Sequence, residues 1–293
     1  MLHQTILMTG ASSFVGSHLL KRLLHEGCDV LALKRPATQP QLYDKKLTWI
    51  DWTELDSDSL ILDKVSSIVH LATDYGRNGS TLAEQYQCNV NYPIYLLELM
   101  KKNNIKKFIS TDSFFGKYES QYSYMKSYIM SKRHFLEVGR LFTELNKDIS
   151  IINMRLEHVY GANDKNNKFI PFIINEMLNG RDIIKCTICT QRRDFIYIED
   201  VVSAYITILK SDMITGFEEF EVGTGISTEL RNIVDEIKIN IGNYTKVEYG
   251  AIPIRADEIM ESQANIEKLE KLGWKANYTI SQGVKKMLSQ YKK

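Results

Sequence analysis

An α/β fold built on a doubly wound parallel sheet, with a smaller C-terminal lobe, is predicted by three features of this 293-residue sequence. A short apolar strand, residues 5–8, leads through a glycine turn, residues 10–16, into a helical pattern. Strand and helix patterns then alternate as far as residue 210, which is typical of parallel strands joined by right-handed crossovers. Beyond residue 163, polar and irregular segments interrupt the alternation and indicate the second lobe.

Hydrophobic spacing locates the individual elements: short apolar runs predict strands, and apolar residues three or four apart predict helices. The predicted strands are residues 5–8, 29–34, 47–51, 67–71, 107–111, 149–155 and 195–198. The predicted helices are residues 14–26, 82–102, 123–145, 170–178 and 200–210. We therefore expect a sheet domain of residues 1–162 with a return at 192–224. The lobe of residues 163–191 and 225–293 should close over the carboxyl ends of the strands, where such folds bind ligands.

The composition of the chain excludes several function classes. Lysine plus arginine (37) nearly balance aspartate plus glutamate (36), so no global field attracts nucleic acid or an anionic membrane. The apolar runs fall far short of the ~20 residues that span a bilayer, and no signal-peptide pattern opens the chain, so we expect a cytoplasmic protein. Cys186 and Cys189 form a Cys-x-x-Cys, but no second pair follows at zinc spacing, and we predict no metal.

The turn between the first strand and the first helix is a candidate dinucleotide site. Backbone N–H groups and the positive end of a helix attract a pyrophosphate. Gly10 and Gly16 stand where a Gly-x-x-Gly-x-x-Gly pattern needs them, but Ser13 replaces the middle glycine and would slightly hinder close backbone approach. By itself this motif is also compatible with an ordinary strand-to-helix turn.

A tyrosine and a lysine four residues apart form the candidate catalytic pair. Tyr128 and Lys132 share one face of a predicted helix, where the ammonium group would lower the phenol pKa and make it a general acid or base. Thr111 ends a predicted strand, where its hydroxyl can bond a substrate carbonyl oxygen. Each feature has a structural alternative, because the helix could form a dimer face and the threonine could cap a turn.

These motifs occur together with two further segments, RLEHVYG at residues 155–161 and RDFIYIEDV at residues 193–201. In this order they resemble the extended short-chain dehydrogenase/reductase family, also called the sugar-nucleotide epimerase/dehydratase family. The resemblance runs along nearly the whole chain and includes Arg255 and the Leu-Gly-Trp of residues 272–274. It implies a Rossmann-type fold, a nicotinamide dinucleotide cofactor, and a C-terminal lobe that binds a nucleoside-diphosphate sugar.

The resemblance assigns roles to individual positions. It makes Thr111, Tyr128 and Lys132 the catalytic trio. The cofactor-binding positions are Gly10, Ser12, Ser13, Phe14, Val15, Gly16, Lys34, Arg35, Asp51, Trp52, Leu71, Ala72, Thr73, Asn89, Ser110, Tyr128, Lys132, Leu156 and His158. The substrate-binding positions are Asp74, Tyr75, Asp112, Ser113, Phe114, Glu157, His158, Lys168, Phe169, Arg193 and Arg255. Arg255 would pair with the diphosphate, unless it forms a surface ion pair with Asp257 or Glu258.

Two local departures narrow the reaction. The 4,6-dehydratases of the family are similar around Asp112 but carry a glutamate where Ser113 stands, and without this second carboxylate elimination lacks its base. The second strand ends in Lys34 and Arg35, with no carboxylate, which favours NADPH over NADH unless the pair is only a solvated turn. The first departure disfavours dehydration. The second favours net reduction, because reductases of the family generally use NADPH.

The resemblance is strongest to 4-ketoreductases of the family, in which a histidine stands at the position of His158. It implies NADPH-dependent reduction of the 4-ketone of a CDP-linked 4-keto-3,6-dideoxyhexose, in deoxysugar biosynthesis for surface polysaccharide. A dTDP-4-keto-6-deoxyglucose reductase, a sugar-nucleotide epimerase and a non-enzymatic NADPH sensor stay open as alternatives. By the same analogy two subunits would pair through the helices predicted at residues 82–102 and 123–145, and neither nucleic acid nor a membrane is expected as a partner.

Overall fold

The structure is a computed structural model that describes residues 2–55, 60–77, 79–117, 123, 125–242 and 245–291. Its strands are β1 (Thr5–Thr9), β2 (Asp29–Lys34), β3 (Leu47–Asp51), β4 (Val65–His70), β5 (Lys107–Ser113), β6 (Ser150–Leu156), β7 (His158–Tyr160), β8 (Ile183–Cys186), β9 (Arg192–Arg193), β10 (Phe195–Tyr197), β11 (Gly216–Val222), β12 (Thr228–Glu229) and β13 (Lys246–Tyr249). Its α-helices are α1 (Phe14–His25), α2 (Leu82–Tyr86), α3 (Tyr92–Lys102), α4 (Lys126–Leu145), α5 (Phe169–Leu178), α6 (Ile198–Lys210), α7 (Leu230–Ile241), α8 (Glu267–Lys271) and α9 (Ile280–Tyr291). None of the helices in these ranges is long and apolar enough to cross a membrane.

The largest sheet has seven strands in the order β11-β6-β5-β4-β1-β2-β3. Strand β1 pairs in parallel with β2 and with β4, and the β2–β3 and β4–β5 pairs are parallel as well. The strand order reverses beside β1, since the chain first adds strands on one side of it and then on the other. Open sheets of this kind bind ligands where the order reverses. The predicted Rossmann-type α/β class is confirmed.

The chain divides into two compact units. The first combines the N-terminal part of the chain with Ser123–Arg155 and Tyr205–Phe220, and the second contains Leu156–Ala204 and the chain from Glu221 onward. The predicted boundaries at residues 162, 192 and 224 differ from these. The difference arises because β7 and β10 pair with each other, so both strands and the segment between them lie in the second unit.

One strand of the large sheet differs from the prediction. Residues 195–198 do not join that sheet, because Phe195–Tyr197 pairs in parallel with β7 in a separate two-stranded ladder. The large sheet is completed by β11, whose sequence GFEEFEV carries glutamates in place of a continuous apolar run. Most side chains of β11 are only half-buried, so a search for apolar runs does not detect it.

Capping residues in the sequence account for where α1 and α2 begin. Ser13 caps α1, because its side-chain oxygen accepts a hydrogen bond from the Gly16 N–H at 3.1 Å. Thr81 and Glu84 form a capping box at the start of α2. The helix predicted at residues 82–102 is interrupted by a π-helical turn at Gln87–Asn91, after which α3 begins with proline in its first turn.

The helix predicted at residues 123–145 begins at Lys126 in the structure. Met125, directly before it, has a left-handed backbone with a φ of 65°, which cannot continue a right-handed helix. Tyr124, in the predicted first turn, lies outside the described residues. From Lys126 onward the buried positions recur every three or four residues, as an amphipathic helix requires.

Each unit has its own apolar interior. In the first unit, side chains from β1, β4 and β5 pack with those of α3 and α4 around Ile68, Leu96, Phe108 and Phe135, all at most 1 % exposed. In the second unit α7 packs against both α5 and α9. Burying apolar surface in this way is the main stabilising contribution to both units.

Candidate active site

The three residues predicted to be catalytic lie together where β5 ends and α4 begins. Lys132 Nζ donates a hydrogen bond to the backbone carbonyl oxygen of Thr111 at 2.9 Å. Tyr128 lies one turn earlier on the same buried face of α4, and the Ser113 side chain is close enough to influence its hydroxyl. Thr111 Oγ1 lies 2.7 Å from the hydroxyl of Tyr205 on α6. The first unit therefore presents three neighbouring hydroxyl groups, those of Tyr128, Thr111 and Ser113, beside one buried ammonium group.

Burial dominates the electrostatics of the catalytic pair. Tyr128 is 3 % exposed, and burial raises its pKa well above the ordinary value, with Tyr75 and Asp112 acting in the same direction. Burial lowers the pKa of Lys132, against the attraction of Asp112. The expectation that Lys132 lowers the phenol pKa is not met, because the loss of hydration outweighs nearby charges and the ammonium group donates to Thr111. Tyr128 is therefore protonated at neutral pH and can act as a proton donor.

The neighbouring carboxylate, Asp112, is held within a buried ion network. Its Oδ2 accepts hydrogen bonds from Asn153 Nδ2 and Arg155 Nε, both at 3.4 Å. Arg155 Nη2 also donates to Glu219 Oε2 at 2.6 Å, and Arg140 pairs with the same glutamate. Asp112 Oδ2 is therefore engaged by two donors within the protein. Next to it, Phe114 is 7 % exposed and its ring packs against Phe115 at 4.1 Å.

The turn after β1 has the geometry of a pyrophosphate cradle. Gly10 has a φ of +67°, and a Cβ atom there would lie 2.7 Å from the Ala72 backbone nitrogen. A Cβ atom at Gly16 would meet the carbonyl oxygen of Gly10, so both positions require glycine. Ser13 has an ordinary extended backbone, φ −73° and ψ 169°, and caps the helix, which explains why serine is tolerated there. Ser12 and Ser13 are exposed at the helix N-terminus, and Phe14 and Val15 are half-buried behind them.

Beside this turn, the ends of β1 and β4 are fastened to each other. Thr9 Oγ1 accepts a hydrogen bond from the Ala72 N–H at 3.1 Å and is bonded to His70 Nδ1 at 2.8 Å. The Leu71 N–H donates to the Thr9 carbonyl oxygen. Ser110, which pairs with His70 across β4 and β5, is 1 % exposed. The segment from Leu71 to Thr73 is therefore fixed next to the cradle, as a backbone that follows a cofactor must be.

At the end of β2 the two predicted cofactor residues Lys34 and Asp51 form an ion pair with each other. The carboxylate of Asp51 on β3 thus neutralises Lys34. The prediction of two basic residues with no carboxylate nearby is therefore wrong for Lys34, and of the two only Arg35, which is exposed, remains a candidate for a cofactor phosphate. Trp52 packs edge-on against Tyr92 with ring centroids 5.2 Å apart. An exposed aromatic ring and an exposed guanidinium at the ends of β3 and β2 are residue types that suit an adenosine carrying a phosphate.

Asn89 is fully buried in the π-helical turn, and its amide is used within the protein. Its Oδ1 accepts from the Asp74 N–H at 2.9 Å, and its Nδ2 donates to the Asp74 carbonyl oxygen and to Ser131 Oγ. The Asp74 carboxylate in turn accepts from Ser80 and from the Gly76 N–H. Asn89 therefore fixes the Asp74 segment to α4 and positions it.

The same segment carries Tyr75, whose ring lies 5.0 Å from the ring of Tyr128. Tyr75 is 47 % exposed, so it forms a partly open wall over the buried phenol. Aromatic contacts of this kind fix the orientation of both rings. The structure thus brings Tyr75, Ser113 and the catalytic trio together in the first unit.

The remaining predicted substrate residues form a cluster in the second unit. Glu157 is 4 % exposed and accepts a hydrogen bond from Ser262 Oγ at 2.5 Å. His158 lies 3.7 Å from the Glu157 carboxylate, and its ring packs against Phe195. Burial lowers the pKa of His158, so the imidazole is neutral at pH 7. Leu156, one residue earlier, is 7 % exposed.

Two ion pairs hold the charged members of this cluster. Arg193 Nη2 donates to Glu258 Oε1 at 2.5 Å, so Glu258 is committed to Arg193. Lys168 Nζ pairs with Asp164 at 2.9 Å. Arg255 is exposed, three residues before Glu258. The neighbouring Phe169 packs against Phe195 at 6.3 Å between ring centroids.

Sequence reasoning did not identify Tyr205, Ser131 or Arg155 as parts of the site. Tyr205 carries a detectable signal, because a hydroxyl on the buried face of a helix needs a hydrogen-bond partner. Ser131 lies between Tyr128 and Lys132 on α4. Its position in the sequence gives no indication that its hydroxyl accepts a hydrogen bond from Asn89. The pairing of Arg155 with Asp112 joins positions far apart in the chain and has no local signal.

A glycine cradle at the first turn of a Rossmann-type sheet, followed by the tyrosine–lysine pair of α4, defines a short-chain dehydrogenase/reductase. Residues 6–223 match the NAD dependent epimerase/dehydratase family. The chain belongs to this family of enzymes, as its motifs predict, and the residues of the cradle fit the dinucleotide that the family binds.

Individual relatives narrow the comparison. The chain is 51% identical over 288 residues to CDP-abequose synthase of Salmonella muenchen, covering 98% of both chains. It is 38% identical over 298 residues to CDP-abequose synthase of Salmonella typhimurium strain LT2, covering 99% of both. The solved structure of MoeE5 in complex with UDP-glucuronic acid and NAD has a TM-score of 0.80 at 23% identity, covering 98% of this chain and 99% of that chain. The last comparison shows a shared fold, and the first two confirm the resemblance to this branch of the family.

Proposed function

We propose that the chain reduces the 4-ketone of a CDP-linked 4-keto-3,6-dideoxyhexose with NADPH, as a CDP-abequose synthase-like enzyme. The 51% identity to a CDP-abequose synthase over nearly the whole chain supports the substrate class. The observation that supports the choice of reaction is the hydrogen bonding of Asp112. Arg155 and Asn153 engage its Oδ2, and Ser113 follows it where a second carboxylate would be needed, so this segment supplies a hydroxyl donor in place of the carboxylate pair that elimination uses.

Residues of the first unit would hold the cofactor. The Gly10 to Gly16 turn suits the pyrophosphate, Arg35 suits a 2′-phosphate, and Lys132 suits the nicotinamide ribose. When bound, the nicotinamide supplies the hydride that reduces the ketone carbon. Family membership supports a nicotinamide dinucleotide in general, and the preference for NADPH rests on exposed Arg35.

The proton and the polarising hydrogen bond come from the chain itself. Tyr128 retains its proton at neutral pH because it is buried, and it donates that proton to the substrate O4. Thr111 donates a hydrogen bond to the same oxygen and polarises the carbonyl group. Lys132 holds the backbone of Thr111, because its ammonium group donates to the Thr111 carbonyl oxygen.

Residues of the second unit would bind the sugar nucleotide. We assign the diphosphate to Arg255, because the guanidinium of Arg193 is paired with Glu258. Glu157, His158 and Phe169 are assigned to the nucleoside and sugar.

The proposal extends to the setting of the enzyme. We place it in the cytoplasm as a homodimer that supplies a deoxysugar for surface polysaccharide. Helices α3 and α4 carry the exposed apolar side chains Tyr95, Met130, Leu141 and Leu145, which support pairing through these helices. Light scattering should give twice the mass of the chain, and the mass of a single chain would contradict the pairing.

The reaction is tested with a preformed CDP-4-keto-3,6-dideoxyhexose and NADPH that carries deuterium in the transferred position. We expect one NADPH consumed per ketone and deuterium at C4 of the product, identified by mass spectrometry and proton NMR. An epimerase would consume no NADPH, and a sensor would only bind it. CDP-glucose or dTDP-glucose with NAD should give no keto product, and a 4-keto-6-deoxy product or label at C6 would overturn the reductase assignment.

A further inference from the structure

A buried tyrosine of α6 contacts the hydroxyl of the proposed catalytic threonine. Tyr205 is 0 % exposed, and its hydroxyl lies 2.7 Å from Thr111 Oγ1. On the other side of the same threonine, Lys132 Nζ donates to its backbone carbonyl oxygen. Thr111 is therefore held at two points, by Lys132 at the backbone and by Tyr205 at the hydroxyl.

Chemistry determines which of the two hydroxyl groups donates. A phenol is more acidic than an aliphatic alcohol, so it is the better donor and the weaker acceptor of the pair. Burial raises the pKa of Tyr205 further, so its phenol keeps its proton at neutral pH. The great majority of buried hydroxyl groups are hydrogen-bonded, and Thr111 Oγ1 is at the right distance to accept from Tyr205.

We propose that Tyr205 is a positioning residue for Thr111: it donates to Thr111 Oγ1, so that the threonine keeps its own hydrogen for the ketone oxygen of the substrate. The proposal rests on the reductase function proposed above. Were the bond reversed, with Thr111 donating to Tyr205, the threonine could not also donate to substrate, because a hydroxyl has a single hydrogen. The bond from Tyr205 also selects one χ1 rotamer of Thr111, and donors linked in a chain polarise one another.

A double-mutant cycle measures this dependence. Tyr205→Phe keeps the ring and removes the hydroxyl, and Thr111→Val keeps the shape of the threonine and removes its hydroxyl. We expect Tyr205→Phe to lower kcat about three- to tenfold, as the loss of one hydrogen bond would, with NADPH affinity unchanged. Thr111→Val should lower kcat about a hundredfold. In the Thr111→Val background, Tyr205→Phe should have no further effect, because its action passes through Thr111.

A matched control separates this role from a general effect of removing a buried phenol. Tyr160 is 2 % exposed, and its hydroxyl has no hydrogen-bond partner in the described part of the chain. We expect Tyr160→Phe to leave kcat unchanged. An equal loss of kcat from Tyr205→Phe in the wild-type and Thr111→Val backgrounds, or no loss in the wild type, would overturn the proposal.

A second measurement does not depend on turnover. Three-bond couplings to the Cγ2 methyl group of Thr111, measured by NMR on the full chain, report its χ1 angle. We expect one rotamer in the wild type and averaged couplings in Tyr205→Phe, and unchanged couplings in that variant would overturn the positioning role. If the wild-type protein does not reduce the keto sugar, the proposed function fails, whereas the couplings still decide the inference about Tyr205.

Discussion

At the scale of single residues, burial and hydrogen bonding decide the chemistry of Tyr128. Its phenol is almost inaccessible to water, its ring is against Tyr75, and its pKa is raised. A raised pKa keeps the phenol protonated at neutral pH, so the proton needed for transfer is present. The lysine of the pair holds Thr111, because its ammonium group donates to the Thr111 carbonyl oxygen.

Removing the hydroxyl of Tyr128 should therefore stop proton delivery to O4. We expect Tyr128→Phe to lower turnover about a hundredfold or more while leaving NADPH binding nearly intact, as a group that acts on the transition state would. Steady-state kinetics and NADPH titration measure the two effects. Tyr86→Phe is the control, because Tyr86 bonds His134 on the surface. More than about a tenth of wild-type turnover would mean that another residue, such as His158, donates the proton.

Cofactor preference is a second property of a single residue. Lys34 is neutralised by Asp51, so Arg35 is the exposed cation left to contact a 2′-phosphate. We expect Arg35→Asp to weaken NADPH binding about tenfold or more and to spare NADH, since a charge-assisted bond is lost. Fluorescence titration with both cofactors tests this, with exposed Arg181→Asp as the control. Equal affinity of the unmodified protein for NADPH and NADH would contradict a role for Arg35.

At the scale of elements, two helix boundaries position residues of the candidate site. The π-helical turn between α2 and α3 places Asn89 inside the unit, where it fastens the Asp74 segment to Ser131 of α4. Such turns add a residue to the helical repeat and re-aim the side chains they carry. At the other boundary, Ser13 starts α1 and leaves the helix N-terminus open beside the cradle.

The cap of α1 should be measurable as stability. Ser13→Ala removes the acceptor for the Gly16 N–H and should lower the free energy of unfolding by about 1 kcal/mol without cofactor. Urea denaturation measures the change, and Ser12→Ala, at an exposed position that does not cap the helix, is the control. Equal stability of the Ser13→Ala variant and the wild type would mean that α1 does not depend on this cap.

At the scale of the whole molecule, acid sensitivity follows from a buried imidazole. His70 is 1 % exposed among the rings of Phe108, Phe135 and Tyr92, and burial lowers its pKa to about 3. A histidine in the unfolded chain has a pKa of about 6.5. Between pH 3 and pH 6.5, roughly, the unfolded chain therefore binds one proton at His70 that the folded chain does not. The contribution of His70 to stability is therefore complete above the unfolded pKa and is lost as the pH falls toward the folded pKa.

We expect the free energy of unfolding to fall by about 1.4 kcal/mol per pH unit from this group as the pH is lowered below ~6. His70→Phe should reduce the slope of the free energy of unfolding against pH by the amount that corresponds to one bound proton, whatever the effect of the substitution on stability at neutral pH. Denaturant unfolding of both proteins at several pH values measures the slopes. His158, whose pKa is also lowered, contributes equally to both proteins. Identical slopes would show that His70 is not buried in its neutral form.

The sequence by itself determined the α/β class and the glycine cradle, and it located the candidate catalytic residues. These features depend on spacing within one strand, turn or helix, and such spacing is visible in the chain: Tyr128 and Lys132 share a face wherever α4 packs. Two boundaries differ from the prediction. The π-helical turn at Gln87–Asn91 divides the helix predicted at residues 82–102, and α4 begins at Lys126 instead of residue 123.

Only the tertiary structure decided how these groups are used. It placed β11 in the large sheet in place of residues 195–197, joined Asp112 to Arg155, and set Tyr205 against Thr111. Each of these contacts joins residues far apart in the chain, so no local pattern encodes it. The tertiary structure also decided the direction of the Tyr128 pKa shift. This shift is the balance between the loss of hydration and the effect of nearby charges, and neither exists before the chain has packed.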